Sequence, residues 1–374
     1  MEVRNNLAEL RRQRGVGAAQ LASAVGVSRQ TIYAIESGSY VPNTSVALKL
    51  ARALDVGVEQ LFSLEEDTHG PLYSEEVELL PGGGPLQPGQ ALQLCNVDGR
   101  LIATPPEPST WGLPQADAVL QGASRALKPV AKSKAGILEE DWKKDDRLLL
   151  AGCDPGATVL AHHLRRHGVE LVISYQNSSR ALELLKSGLI HVAGTHLLDE
   201  KTGESNLPKI SRMFGKDSVA VFSFALWEEG IVVAAGNPKN IRSVADFVRP
   251  DLTIANRETG AGCRLLLDSL LHRLGIAAKD VKGYDRIALG HLPAAREVQN
   301  DVADCCISTR AAARVFGLDF IPLATKRYDL VIRQTHLKLP PVQNLIETLG
   351  RAALRRELEG FAGYDMKAAG NRLA

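Results

Sequence analysis

QLASAVGVSRQTIYAIE, residues 20–36, has the spacing of two short helices joined by a tight turn. Leu21, Ala22 and Val25 make the apolar face of a first helix, Gly26 supplies the positive φ that a sharp turn requires, and Ser28 is placed to cap the helix that follows. Ile32 and Ile35 then face inward, which leaves Arg29, Gln30, Thr31, Tyr33 and Ala34 on or near the outer side. A second helix presented in this way enters the major groove of double-stranded DNA with its N-terminal residues against base edges. The side chains suit base reading, since Arg pairs in bidentate fashion with guanine and Gln with adenine, while Ser28 or Thr31 reaches a phosphate or a thymine methyl. A plain helical hairpin would share the apolar spacing, but its polar residues would meet only water.

Context separates the two. The chain continues SGSYVPNTSVALKLARALDVGVEQLF, with Gly38 ending a helix, Thr44 or Ser45 expected to cap the next, and Leu48, Leu50, Ala51 and Leu54 as its apolar stripe. Residues 4–62 therefore resemble the five-helix Cro and lambda-repressor (XRE) type of DNA-binding domain. The match lies in Gln20-Leu21-Ala22, Gly26-Val27-Ser28, Ile32, Ile35-Glu36, Gly38, Pro42, Leu50-Ala51 and Leu54. The resemblance implies that Arg29, Gln30 and Tyr33 face bases, with Gln20 and Ser28 near phosphates. A single such domain buries little surface, so a homodimer or higher homo-oligomer on a pseudo-palindromic operator is expected.

A length of 374 residues exceeds one typical core, and two or three domains are expected. The formal net charge is only +1, which excludes a chain wrapped in nucleic acid along its length. Residues 1–64 carry seven Arg and Lys against five acids, a weak local bias that a small reader domain can use. No run of eighteen apolar residues exists and the N-terminus lacks a signal-peptide core, so the expected location is the cytoplasm, with no membrane partner. The five cysteines (95, 153, 263, 305, 306) contain no CxxC pair, and they are expected to be reduced and packed, with no metal ligands among them.

Residues 65–144 change character. Fifteen Gly and Pro fall in the 45 residues from Gly70 to Pro114, which excludes long helices there. ALQLCNV and RLIAT flank Asp98-Gly99, the strongest short-range signal for a two-residue hairpin turn. Leu92, Leu94, Val97, Leu101 and Ile102 offer too much apolar surface for a disordered linker, and a β-rich connector is expected, with PGGGPLQPG as a turn-rich loop. Ala116 to about Leu138 is expected to hold a helix and a basic loop, Lys128 to Lys134.

From residue 145 to 374 the rhythm is short apolar strands followed by helices: RLLLAG, ELVISY, IHVAG, then GIVVAAG, LTIAN, CCIS and FIPLA. Such alternation means an α/β fold with parallel strands, whose ligands gather at strand C-termini. The loops there are GCDPGAT, NSSR, GTH and ETGAGCR. Each can open a helix whose first N–H groups are unpaired, and several converging would hold an anion. Asp154, Ser178, Ser179, Arg180, Thr195, His196, Arg257, Thr259, Gly260, Ala261, Gly262, Arg264 and His291 are the candidate ligand-binding residues. Arg264 has an alternative partner in Asp268 at i+4.

The order IVVAAGNPKNIRSVADF, LTIANRETGAGCRLLLDSLL, GHLPAAREVQNDVADCCIS and GLDFIPLATKRYDLVI resembles a type II periplasmic-binding-protein fold of the molybdate and tungstate binder kind. That resemblance implies two α/β lobes joined by two crossing strands, one from Arg147 to about Phe224 with the C-terminal part and one from about Asn237 to Ile321. It also implies an oxyanion such as molybdate or tungstate in the cleft as effector. His163 and His167 in AHHLRRHG form an i, i+4 pair, but without a following acid they are expected on a solvated helix face. There is no GxSxG elbow, P-loop or complete GxGxxG after a strand, so no catalytic residues are assigned. The whole reads as a multidomain α plus α/β protein: a helix-turn-helix domain (1–64), a β-rich connector (65–144) and a two-lobed sensor (145–374). The rival is a DNA-tethered enzyme of molybdenum-cofactor or other small-molecule metabolism. A third option is a sensor that has lost its ligand and serves assembly.

Overall fold

The computed structural model describes residues 3–64, 70–80, 85–107, 112–122, 131–199, 202–215, 217–361 and 363–374. Its contacts divide the chain into two units, Met1–Gly70 and Pro71–Ala374.

In the first unit the helices Leu7–Gln13, Ala18–Val25, Arg29–Glu36, Thr44–Leu54 and Val58–Leu61 close on a core that includes Leu7, Leu21, Ile32, Ile35, Leu50 and Leu54. Gly26 ends the second helix at φ 81°, and Ser28 Oγ accepts from Thr31 N at 3.0 Å to start the third. The fourth helix is capped one residue earlier than expected, because Asn43 Oδ1 accepts from Val46 N at 3.0 Å. Leu48, expected in the apolar stripe, is 55% exposed. Each helical residue turns about 100°, so a face set by Leu50, Ala51 and Leu54 leaves position 48 outside. Two short strands, Val3–Asn5 and Phe62–Leu64, pair antiparallel and tie the ends of the unit together.

The second unit begins with a closed barrel of five strands, in the order Tyr73–Leu79, Arg100–Thr104, Ala91–Val97, Ala118–Leu120 and Ala131–Ile137. Asp98 and Gly99 turn the hairpin at φ 50° and 79°, the sign that a type I′ turn needs. Among the described residues of the range Ala116 to Leu138, where a helix was expected, Ala118–Leu120 and Ala131–Ile137 are strands, since pairing to Tyr73–Leu79 and Ala91–Val97 closes the barrel and satisfies its edges; residues 123–127 lie outside the described ones. Lys132 and Lys134 of the expected basic loop stand on the outer side of a strand, and residues 128–130 lie outside the described ones. The barrel is no separate connector. Its Leu80, Cys95, Val97 and Ile102 share a core with Leu149, Val172 and Leu185 of the α/β part.

That part is built on one nine-stranded sheet. Two fifteen-residue strands, Val219–Val233 and Asp319–Arg333, pair antiparallel along their whole length. On one side they carry the parallel strands Val192–Thr195, Arg147–Gly152 and Glu170–Tyr175, and on the other Cys305–Thr309, Ile254–Arg257 and Ile287–Ala288. Two lobes result. The sequence segments GIVVAAG and FIPLA are therefore the ends of crossing strands, antiparallel to each other, and the sheet is mixed. Helices Pro340–Leu349 and Ala352–Gly360 return to the first lobe, with Val342, Leu345, Leu354 and Leu358 in its core.

Candidate functional site

The third helix of the first unit buries only Ile32 and Ile35 and leaves Arg29, Gln30 and Tyr33 exposed, with Gln20 and Ser28 exposed beside it and Thr31 half-buried. Arg29 Nη2 donates to Tyr33 Oη at 2.8 Å, which fixes the guanidinium on the outer face. Arg11 anchors the helix from behind, with Nε 2.6 Å from Glu36 Oε1 and Nη1 donating to Val16 O.

In the second unit the strand C-termini of both lobes meet at the crossing strands. Cys153 follows Arg147–Gly152, His196 follows Val192–Thr195, Cys263 sits in the first turn of helix Gly262–Leu274, and His291 opens helix His291–Gln299. Glu229 comes from the crossing strand itself, where a register shift at Glu229/Gly230 interrupts the pairing. All five are buried. His196 Nε2 lies 3.3 Å from Cys153 Sγ, and Cys263 Sγ lies 3.5 Å from Glu229 Oε1 and 3.7 Å from His291 Nδ1. His196 Nδ1 is 3.0 Å from Glu229 Oε1, an ion-pair distance, although the carboxylate stands off the N–H direction. Trp227 packs edge-on against both imidazoles at 4.9 and 5.1 Å between centroids.

The electrostatics follow from burial and neighbours. Burial opposes the His196 imidazolium, but Cys153 and Glu229 outweigh it and raise its pKa to about 10. Burial likewise pushes Glu229 up, yet His196 holds its carboxyl below the usual range. His291 is held well below the ordinary imidazole value by burial, then by Arg257 and His196. Among the described residues several buried polar atoms here have no hydrogen-bond partner: Glu229 Oε2, His291 Nε2, Arg257 Nη1, Trp227 Nε1 and Asp154 Oδ2.

The lobes touch. A Cβ on Gly262 would stand 2.3 Å from His196 Cε1, one on Gly260 3.1 Å from Asn177 Oδ1 and 3.5 Å from Ser179 Cβ, and Asn177 Nδ2 reaches Thr259 O at 3.4 Å. Of the candidate residues, His196, Arg257 and His291 surround the buried cluster, and Ser179, Thr259, Gly260, Ala261 and Gly262 form the seam around it. Ser178 and Thr195 are used internally, the first accepting from His196 N at 3.1 Å and the second donating to Asn206 Oδ1 at 3.4 Å. Asp154 Oδ1 accepts from Tyr364 Oη at 2.5 Å and from Gly156 N at 2.7 Å, and burial pushes its carboxyl up to about 6. Arg180 reaches Glu183 on its own helix. Arg264 is engaged within its own lobe: its guanidinium stacks 3.9 Å over Tyr284, pairs with the i+4 Asp268 at 3.3 Å and donates to Arg257 O at 3.1 Å. His163 corrects another expectation, being buried with Nε2 2.8 Å from Glu357 Oε2 of helix Ala352–Gly360, while His167 meets Arg351.

Sequence reasoning did not place Cys153, Glu229 and Cys263 at this site; the five cysteines are free and buried, as expected, and two of them also meet polar partners here. The signal was available for the cysteines, since Cys153 directly follows a strand and Cys263 lies in the helix start that the ETGAGCR loop leads into after another. Glu229 lies inside the run VAVFSFALWEEGIVV, where a carboxylate among apolar strand residues marks a buried polar position.

Both units have counterparts among known proteins. The PBP superfamily domain matches residues 161–350, and a helix-turn-helix domain matches residues 3–63. The uncharacterized protein YvgK of Bacillus subtilis is 32% identical over 249 residues, 66% of this chain and 80% of that protein. The uncharacterized HTH-type transcriptional regulator YgzD of the same organism is 43% identical over 65 residues, 17% of this chain and 98% of that protein. Among solved structures, the sulfate-binding protein SubI from Mycobacterium tuberculosis superimposes with a TM-score of 0.45 at 16% identity, over 58% of this chain and 86% of that one.

Proposed function

The chain belongs to the PBP superfamily, with a helix-turn-helix domain ahead of that fold, and from this premise we propose that it is a ligand-responsive, DNA-binding transcriptional regulator acting in the cytoplasm. The observation that carries the reading is the buried polar cluster between the lobes. Unpartnered donors and acceptors enclosed from water cost free energy unless something satisfies them, and here they come from both lobes and from the strands that join them. A small polar effector taken up there favours the closed state, a coupling of about 1–3 kcal/mol in typical systems. Paired reader domains on a pseudo-palindromic operator would sense it. Arg257 Nη1 and Trp227 Nε1 are the donors that an oxyanion such as molybdate or tungstate would take, with the Glu229 and Asp154 carboxyls opposing it.

The test joins two measurements. Thermal-shift screening of the full chain against oxyanions, metal ions and small organic acids finds the effector. Fluorescence anisotropy and footprinting on DNA from its own promoter then give affinity with and without it. A two-half-site footprint whose affinity changes with the effector is expected. Binding no tighter than to random DNA at matched salt refutes the reading. A second reading, catalysis in the same cleft, draws on the shifted Asp154 and His196. Turnover of a screened ligand, abolished in His196→Ala, would establish it.

A further inference from the structure

The thiols and imidazoles at the lobe junction are metal-binding residue types, and no two come from the same element. The donor atoms of Cys153, His196 and His291 lie within 4.8 Å of one another, and those of Glu229, Cys263 and His291 form a second such set, with His291 bordering both. With metal–sulfur and metal–nitrogen bonds of about 2.3 and 2.05 Å, the edge of a tetrahedron from S to N is about 3.5 Å. The observed separation of Cys153 Sγ from His196 Nε2, 3.3 Å, is close to it. His196 turns Nε2 toward Cys153 and Nδ1 toward Glu229, the arrangement in which a carboxylate orients a ligating imidazole through its second nitrogen. A hydrogen-bonded packing of these groups would use their polar atoms, yet His291 Nε2 and Glu229 Oε2 are buried and unpartnered.

We infer that this cluster binds a thiophilic divalent transition-metal ion of the zinc type through Cys153, His196 and His291, with Glu229 as the carboxylate that positions the His196 ring. The Cys153 thiol loses its proton on binding, and the buried Arg257 guanidinium, which interacts electrostatically with its sulfur, offsets the resulting negative charge. One lobe supplies the sulfur and a nitrogen, and the other lobe supplies the second nitrogen. The ion therefore clamps the cleft shut, and this names the effector class of the site on which the proposed regulation rests.

Titration of metal-stripped full-length protein with Co2+ tests it. A single bound ion per chain is expected, with thiolate charge-transfer absorption in the near ultraviolet and the visible bands of a tetrahedral site, both erased by stoichiometric Zn2+. Cys153→Ser should weaken binding by about tenfold or more. Absence of the charge-transfer band, or its survival in this variant, overturns the assignment. Should the variant fail to fold, alkylation of the unaltered protein by N-ethylmaleimide still decides. Zn2+ must slow Cys153 while leaving Cys95 unchanged, and equal rates with and without Zn2+ refute the site. Operator affinity is measured separately. An ion bound without effect on DNA keeps the site and removes its regulatory role, whereas an effector-dependent DNA response with no ion bound keeps the regulator and removes the site.

Discussion

Arg29 is arranged before DNA arrives. Its guanidinium donates to Tyr33 Oη at 3.1 and 2.8 Å and lies 5.3 Å from the ring centroid, so little side-chain freedom remains to be lost on binding. Arg29→Ala or Gln30→Ala should cost about 1–3 kcal/mol of discrimination at one base position per half-site. Both residues are exposed, so the melting temperature should stay put; anisotropy on base-substituted operators reads the loss, and unchanged affinity for every operator would assign recognition elsewhere. At His191 the prediction concerns pH. Its Nδ1 accepts from Leu149 N at 3.0 Å, and burial, then His336, lowers its pKa from 6.5 to about 4, with Asp98 pulling the other way. The unfolded chain takes up this proton first as pH falls. Stability is therefore complete above about 6.5 and declines toward pH 4, by about 3 kcal/mol over the full gap. Asp154, pushed up to about 6, contributes in the opposite sense, so the comparison to make is urea midpoints of the native chain and His191→Gln at pH 7 and 4.5. Parallel pH dependences would show that His191 does not carry the loss.

At the scale of elements, the turn from Glu258 to Gly262 works by having no side chains where the lobes meet. A methyl at Gly262 would overlap the His196 ring, whereas Gly262 sits at an ordinary helix start, so the substitution strains the interlobe contact and not its own backbone. Gly262→Ala should open the cleft. Faster hydrogen exchange at 177–180 and 194–197, with unchanged exchange in the helix-turn-helix unit, is the expected signature; unaltered protection would mean that the turn relaxes locally. Where barrel meets sheet, Arg147 donates to both Asp117 oxygens at 2.7 and 3.0 Å and to Leu94 O, with all these groups buried. Arg147→Ala would leave the buried Asp117 carboxyl without its ion-pair partner, with only the Leu94 N–H still donating to it, and should destabilise this unit by about 3–5 kcal/mol in urea unfolding. A loss below about 1 kcal/mol, the range of a surface pair, would show that water reaches Asp117.

For the whole molecule, the division at Gly70 predicts that residues 71–374 fold alone and retain the ligand response. Calorimetry should show the same main transition as in the full chain; failure of the fragment to unfold cooperatively would make the division wrong. The helix-turn-helix was legible because it is local: Gly26, Ser28, Ile32 and Ile35 fix turn, cap and core face within a few residues of one another, whatever the remainder does. The two-lobed fold was legible through its family pattern, and the strand-end rule pointed to His196, Arg257 and His291. The sequence by itself thus determined which local structures form and which loops stand at the strand ends. It did not decide that Ala118–Leu120 and Ala131–Ile137 close a barrel, that Arg264 faces Tyr284, or that Cys153, Cys263 and Glu229 converge. Cys153 and Cys263 are 110 positions apart, and only the register of two long antiparallel strands brings them to one point. Pairing of that kind is set by the collective burial of side chains from many strands on both faces of a sheet, which no window of the chain contains.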